Sequence, residues 1–232
     1  MERVDTWTSV AQVRTRISRD PGLTALEGAL LEQLDGDPGH DHGHVLRVAL
    51  WTLRIGEGDV DEREGIAAAL LHDLVNVPKD SPMRNKASEL SAEAAEPLLR
   101  AQGFDPEAVT RIRDAIRDHS FSRGATPTSP LGRALQDADR LEAVGAIGVF
   151  RTISTGARMG ATYFHAADPW AESRDLDDRS HTVDHFFAKL LLLPETMCTA
   201  RGTAEARRRG AFMTAFLGQL GEELGIPLTN RS

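Results

Sequence analysis

Apolar residues recur at three- and four-residue intervals through most of the chain, and the strict alternation of a half-buried strand is almost absent. Ala, Leu, Glu and Arg fill these segments, which favours helix nearly throughout. Val10, Val13 and Ile17 define a first helix within residues 4–17. The turn signal Asp20-Pro21-Gly22 precedes a second over 23–34. After the break at 35–39, Asp41 stands where an N-cap is needed for a helix over 42–55. Asp59 or Asp61 opens the next, which runs through 67–73. Pro78 and Pro82 interrupt the pattern; it resumes over 88–102, with Gly103 suited to the position just past a helix end. Asp105-Pro106-Glu107 combines a cap, a first-turn proline and an acid, and predicts a helix to about His119. Residues 122–129 read as a polar loop. Ser129-Pro130 opens one helix continuing through Asp139 towards Ile153. Helices resume over 182–193 and 205–224, the last stopped by Gly225 and Pro227.

No stretch has the length and polarity of a linker, so the expectation is one all-α domain over 1–232. The motif-bearing core lies at about 40–155, a long irregular loop at 156–179 is a candidate lid, and helices over 182–225 pack back on the core. Hydrophobic residues make up 41% and charged residues 27%. That is enough apolar surface to exclude wholesale disorder. No apolar run approaches the roughly 18 residues of a membrane helix, and the N-terminus lacks the apolar stretch of a secretory signal. The one cysteine, Cys198, has no internal partner and fits a reducing cytoplasm. With 27 basic against 35 acidic residues the net charge is −8, which argues against a general grip on nucleic acid phosphates. Oligomeric state is not encoded in any pattern found here.

The chemistry gathers at His72-Asp73. This pair follows the apolar run 66–71 and directly precedes Asn76 and Pro78, so it falls at the last turn of its helix. A polar pair at the edge of a core costs several kcal/mol unless it is paired or binds a metal. His44, in a His-rich stretch, and Asp139, in Gln136-Asp137-Ala138-Asp139-Arg140, are further ligand types. Two imidazoles and two carboxylates would suit a divalent ion such as Mn²⁺, Fe²⁺, Zn²⁺ or Mg²⁺. Each residue also has a plain structural reading: a core hydrogen-bonded pair for His72-Asp73, a solvated helix start for His44, a surface ion pair for Asp139. Spacing alone does not join the four.

The strings His40-Asp41-His42-Gly43-His44, Ala69-Leu70-Leu71-His72-Asp73-Leu74, His119-Ser120-Phe121 and Gln136 through Ala143 resemble the HD-domain metal-dependent phosphohydrolase superfamily, in its YpgQ/YedJ-like bacterial branch. The resemblance extends through 144–148, 185–191 and 212–217. It implies an all-α HD fold with His44, His72, Asp73 and Asp139 as ligands of one divalent ion, Mn²⁺ favoured over Mg, Co, Ni, Fe or Zn. The implied activity is hydrolysis of a nucleoside triphosphate to monophosphate and pyrophosphate, a metal-bound water attacking phosphorus. Some HD nucleotidases carry an acid three residues after the doublet's aspartate. Here that position is Asn76, which cannot act as a general base. The base is then the metal itself acting on its water, with Asp73 a catalytic residue among its ligands, or another group, for which Asp80, Asp118 and His119 are candidates. His119 also has the ordinary reading of a helix C-terminal histidine facing the dipole.

The loop after the doublet carries Lys79, Arg84 and Lys86, cations suited to the distal phosphates of a polyphosphate or, equally, to a solvated basic loop. Arg140, beside Asp139, is a further candidate for substrate or for a carboxylate behind the ligands, and Arg123 a weaker one. Among His165, His181 and His185, His181 and His185 at i and i+4 are the one pair that a helix would place on one face, and a second metal is not favoured. Tyr163 and Trp170 are suited to stacking on a base or to anchoring the loop. The alternatives are a phosphomonoesterase or phosphodiesterase on the same ligands, and a metal-stabilised nucleotide-binding module without turnover. An HD-fold oxygenase would want more histidines than His119 adds.

Overall fold

A computed structural model describes residues 7–34, 41–56, 58–75, 77, 84–120 and 123–228, with the side chain of Arg84 left aside. The regular structure among these residues is helical, with one isolated bridge, Thr162 to His181, and no strand. The all-α class read from the sequence therefore holds. In chain order the helices are α1 Val10–Ser18, α2 Pro21–Leu31, α3 His42–Gly56, α4 Glu62–Leu71, α5 Ala87–Ala101, α6 Pro106–Asp118, α7 Pro130–Leu141, α8 Gly145–Arg158, α9 Asp184–Ala188 and α10 Ala200–Leu224. Short 3₁₀ segments span Arg84–Lys86 and Leu190–Thr196.

Side-chain caps set several of the helix starts. Ser9 and Gln12 form a reciprocal capping box, so α1 begins at Val10, while residues 4–6 lie outside the described residues. Asp20 accepts from the N–H groups of Gly22 and Leu23, Asp61 from Glu64, and Asp105 from Ala108. Of the two acids proposed to open α4, the cap is Asp61. Asp105→Ala should cost about 1 kcal/mol of stability, measurable by urea denaturation, because it strips one orphan N–H of its acceptor.

Three expectations need correcting. The helix read over 182–193 is a five-residue α9 followed by the 3₁₀ segment Leu190–Thr196, because Lys189 leaves the helical conformation at φ −142, ψ −55. The single helix read from 130 to about 153 is two, because the chain turns over Glu142–Val144 and Gly145 takes φ +77, a left-handed conformation that a side chain resists. The last helix begins at Ala200 instead of 205, because the Thr199 hydroxyl caps the Gly202 N–H.

The chain divides into two compact units, residues 1–139 and 140–232. In the first, α4 is central and packs against α2, α3, α5 and α6. Every residue from Gly65 to Leu71 is buried, which explains a run with no polar face. Gly65 permits the close approach of α3: a Cβ there would lie 2.9 Å from a Leu53 methyl. The buried end of this helix delivers His72 to the middle of the unit.

In the second unit, α10 packs on α8 and on the 190–196 segment. The irregular chain after Arg158 is tied down by its own polar groups. The Asp168 carboxylate accepts from the Glu172 and Ser173 N–H groups and the Ser173 hydroxyl, which hold its pKa down to about 2. Asp184, with no solvent exposure, accepts from both terminal nitrogens of Arg174, at 2.5 and 2.8 Å, and from the Asp177 N–H at 2.7 Å. Trp170 is buried and donates its indole N–H to the Ile226 carbonyl at 2.8 Å. Of the two aromatic candidates, Trp170 is thus an anchor, whereas Tyr163 is exposed.

Candidate metal centre

Helix ends bring the chemistry together within the first unit. His44 lies at the start of α3, its N–H donating to the Asp41 carboxylate at 2.7 Å. His72 is the C-cap of α4 and Asp73 follows it, as the adjoining Asn76 and Pro78 led one to expect. His119 is the C-cap of α6, and Asp139 lies in the last turn of α7. His44, His72 and His119 are buried, and the Asp73 and Asp139 carboxylates are partly open to solvent.

These side chains face one another. His44 Nε2 lies 3.7 Å from Asp139 Oδ1, and His72 Nε2 lies 3.9 Å from the same oxygen and 3.5 Å from Asp73 Oδ2. His119 Nε2 lies 3.5 Å from Asp73 Oδ1. The His72 ring is 5.4 Å from that of His44 and 5.0 Å from that of His119. Ligand atoms of His44, His72 and Asp139 all fall within 4.8 Å of one another, and so do those of His72, Asp73 and His119.

Protonation follows from the backbone. His72 Nδ1 is 2.8 Å from the Ala69 carbonyl oxygen, and His119 Nδ1 is 2.6 Å from that of Ile116. A carbonyl only accepts, so Nδ1 must carry the proton, and in the neutral ring Nε2 then keeps its lone pair. His72 Nε2 is buried and makes no hydrogen bond. Burial holds the His72 imidazolium below its ordinary range, outweighing the pull of Asp73 and Asp139. Burial also lowers His119, but Asp73 and then Asp139 outweigh it and push that group up. A lone pair buried without a donor, with two carboxylates closing around it, is the donor set of a divalent cation: borderline nitrogen, hard oxygen and a formal −2.

The structure thus groups His44, His72, Asp73, Asp139 and His119. Asn76, Lys79 and Asp80 lie outside the described residues, as does the side chain of Arg84. Lys86 is exposed at the N-cap of α5. Arg140 donates to the Thr196 carbonyl within the second unit. Asp118 is engaged by Arg117 at 2.7 Å and Arg123 at 3.5 Å, and the Arg117 hydrogen bond holds its carboxyl below the usual range. His165 and His181 meet edge to face with centroids 5.2 Å apart, and His185 pairs with Asp178 at 2.8 Å. Among the described residues, these histidines join no cluster of three or more ligand types.

Residues missed in the sequence support the site from behind. The Ser91 hydroxyl accepts from the Val75 N–H, just past the His-Asp pair, at 3.0 Å. The Ser88 hydroxyl donates to the Arg117 carbonyl at 2.8 Å. Both serines are buried on α5 in step with Ala92, Ala95 and Leu99. A hydroxyl at a core position was the signal available.

A family model described as "HD domain" matches residues 42–144, a span that holds all five clustered side chains. "Uncharacterized protein YpgQ" of Bacillus subtilis is 33% identical over 195 residues, covering 82% of this chain and 87% of that one. The crystal structure of Bacillus subtilis YpgQ in complex with ADP superposes with a TM-score of 0.67 at 30% identity, over 87% of this chain and 96% of that one. A "predicted HD superfamily hydrolase" from an uncultured Thermotogales bacterium gives 0.62 at 28% identity, over 91% and 98%.

Proposed function

The chain belongs to the HD-domain family and is an HD-superfamily hydrolase, and from that premise we propose that it cleaves a small nucleotide, a nucleoside triphosphate giving monophosphate and pyrophosphate. The carrying observation is the buried, undonated lone pair on His72 Nε2 between the Asp73 and Asp139 carboxylates. His44, His72, Asp73 and Asp139 would hold one divalent ion, with Mn²⁺ preferred. Such an ion supplies a Lewis acid for a phosphoryl oxygen and a lowered pKa for its water.

The chain's own groups do the rest. The Ala69 carbonyl fixes the His72 ring with Nε2 inward, and the Ile116 carbonyl does the same for His119. His119 Nε2, facing Asp73 Oδ1, is the group suited to pass a proton between that carboxylate and the reacting phosphate. With Asn76 unable to act as a base, Asp73 and His119 take that role; Asp80 is the further acid proposed for it. Lys79, Arg84 and Lys86, on the segment after the His-Asp pair, supply charge for the distal phosphates. The ADP in the YpgQ neighbour supports a nucleotide ligand.

The test is a nucleotide panel assayed with Mn²⁺, Mg²⁺, Co²⁺ and Ni²⁺, pyrophosphate and orthophosphate being measured separately. Pyrophosphate release is expected. Orthophosphate alone would make the protein a phosphomonoesterase, and a nucleotide-induced rise in melting temperature without product would make it a binding module. Metal dependence has its own check. Mn²⁺ at a hundred times its dissociation constant should add about 2.7 kcal/mol to the stability of chelator-treated protein. No stabilisation at saturating ion would sink the site.

A further inference from the structure

Behind His119 lies a side chain that neither the family resemblance nor the ligand set assigns. Gln136 on α7 is buried, 1% exposed, and its amide nitrogen donates to two carbonyls, that of Asp118 at 2.8 Å and that of Ala125 at 3.0 Å. The first is informative. The Asp118 carbonyl belongs to the peptide plane that leads into His119, so a grip on it is a grip on the backbone carrying the imidazole. Gln136 also sits three residues, one helical turn, before Asp139 on the same helix. One side chain therefore ties the backbone of His119 to the helix that presents Asp139.

The end of α6 shows the same logic three times. Its last carbonyls have no partner within the helix. Ile116 receives the His119 imidazole N–H, Arg117 the Ser88 hydroxyl, and Asp118 the Gln136 amide. The first bond orients the ring, and the other two, from α5 and α7, fix where the turn lies. Gln136 is buried alongside Leu131, Ala134, Leu135 and Ala138, with Asp137 the other buried polar side chain of α7, and it loses rotamer freedom and hydration there. An apolar residue of equal length would pack there without that cost, but would leave both carbonyls unsatisfied.

We propose that Gln136 is a positioning residue that sets His119 against Asp73 and Asp139. Its catalytic consequence rests on the role given to His119 above; its structural consequence does not. The first test uses ring-¹⁵N/¹H NMR of the metal-free full-length protein. The His119 and His72 Nδ1–H signals, each bonded to a carbonyl, are assigned with His119→Ala and His72→Ala. In Gln136→Met, equal in length but without a donor, the His119 signal should shift or broaden while the His72 signal stays. An unmoved His119 signal overturns the proposal. If Gln136→Met does not fold, and both signals vanish, Gln136→Asn keeps an amide one methylene too short to reach both carbonyls. The same selective shift is then expected, and its absence overturns the proposal.

The second test is a double-mutant cycle on hydrolysis. Gln136→Met should lower kcat about tenfold with KM little changed, the range seen for groups that orient a ligand from behind. In a His119→Ala background it should cost nothing further. An equal loss in both backgrounds would show that Gln136 acts through the general fold and would overturn the proposal. Full activity in His119→Ala alone would instead remove the catalytic role of His119, with the NMR result still deciding the placement.

Discussion

Asp139→Ala should lower kcat by roughly three orders of magnitude, about 4 kcal/mol of barrier, and abolish stabilisation by Mn²⁺. The Asp139 oxygen lies between the two buried imidazoles, 3.7 Å from His44 Nε2 and 3.9 Å from His72 Nε2. Its loss would leave one carboxylate where a divalent ion meets two, removing a ligand and half of the formal negative charge. The metal-free protein should be little affected, within about 0.5 kcal/mol, since the carboxylate is partly exposed and no core packing is removed. That separation is what the measurement reads: melting temperature with and without Mn²⁺ alongside turnover. Asp139→Asn keeps the shape and one oxygen, and should fall between. A variant that hydrolyses at the parent rate and is still stabilised by the ion would end the metal-centre reading.

The largest effect on stability is expected within the second unit, at a pair that takes no part in this chemistry. Asp184→Ala should cost about 3–5 kcal/mol, the range for removing one partner of a buried pair. The Asp184 carboxylate has no solvent exposure and receives both terminal nitrogens of Arg174 together with the Asp177 N–H. Without it, a largely buried guanidinium and a backbone donor lose their acceptor. Replacing both partners by apolar residues, Arg174→Met with Asp184→Leu, should recover much of the loss, because no charge is then left unpaired. Urea denaturation gives the totals, and hydrogen exchange over residues 159–184 should report the opening first. A single variant as stable as the parent would show that the pair does not hold this segment.

Local chemistry was legible and distant chemistry was not. The cap Asp105 could be read, and Asp61 as one of two candidates, because a carboxylate and the N–H it serves lie three residues apart; Asp20, read as part of a turn, caps a helix that starts at Pro21. The break after Leu141 could not, since Leu141-Glu142-Ala143 favours helix and Gly145 is tolerated in one; only its left-handed φ reveals the turn. The start of α10 was hidden because Gly202 lowers helix propensity just where it supplies the N–H that Thr199 caps. The end of α4 beside His72 followed from the proline beyond it. The convergence of His44 and Asp139 on that point did not, since no periodicity links separate helices; resemblance joined them, and geometry agrees. For His119 both sequence readings apply: it serves the end of its own helix through Nδ1 and faces Asp73 through Nε2.

Each candidate ligand sits where a helix starts, ends or nears its end, and each comes from a different stretch of the chain except the adjacent His72 and Asp73. This has a bearing on biosynthesis. A chain still emerging from the ribosome holds no complete cradle until α7 is out and docked, so a truncated product ending before Asp139 should be unable to retain the ion. Cation capture would then have to wait for α7, the last element to bring a candidate ligand.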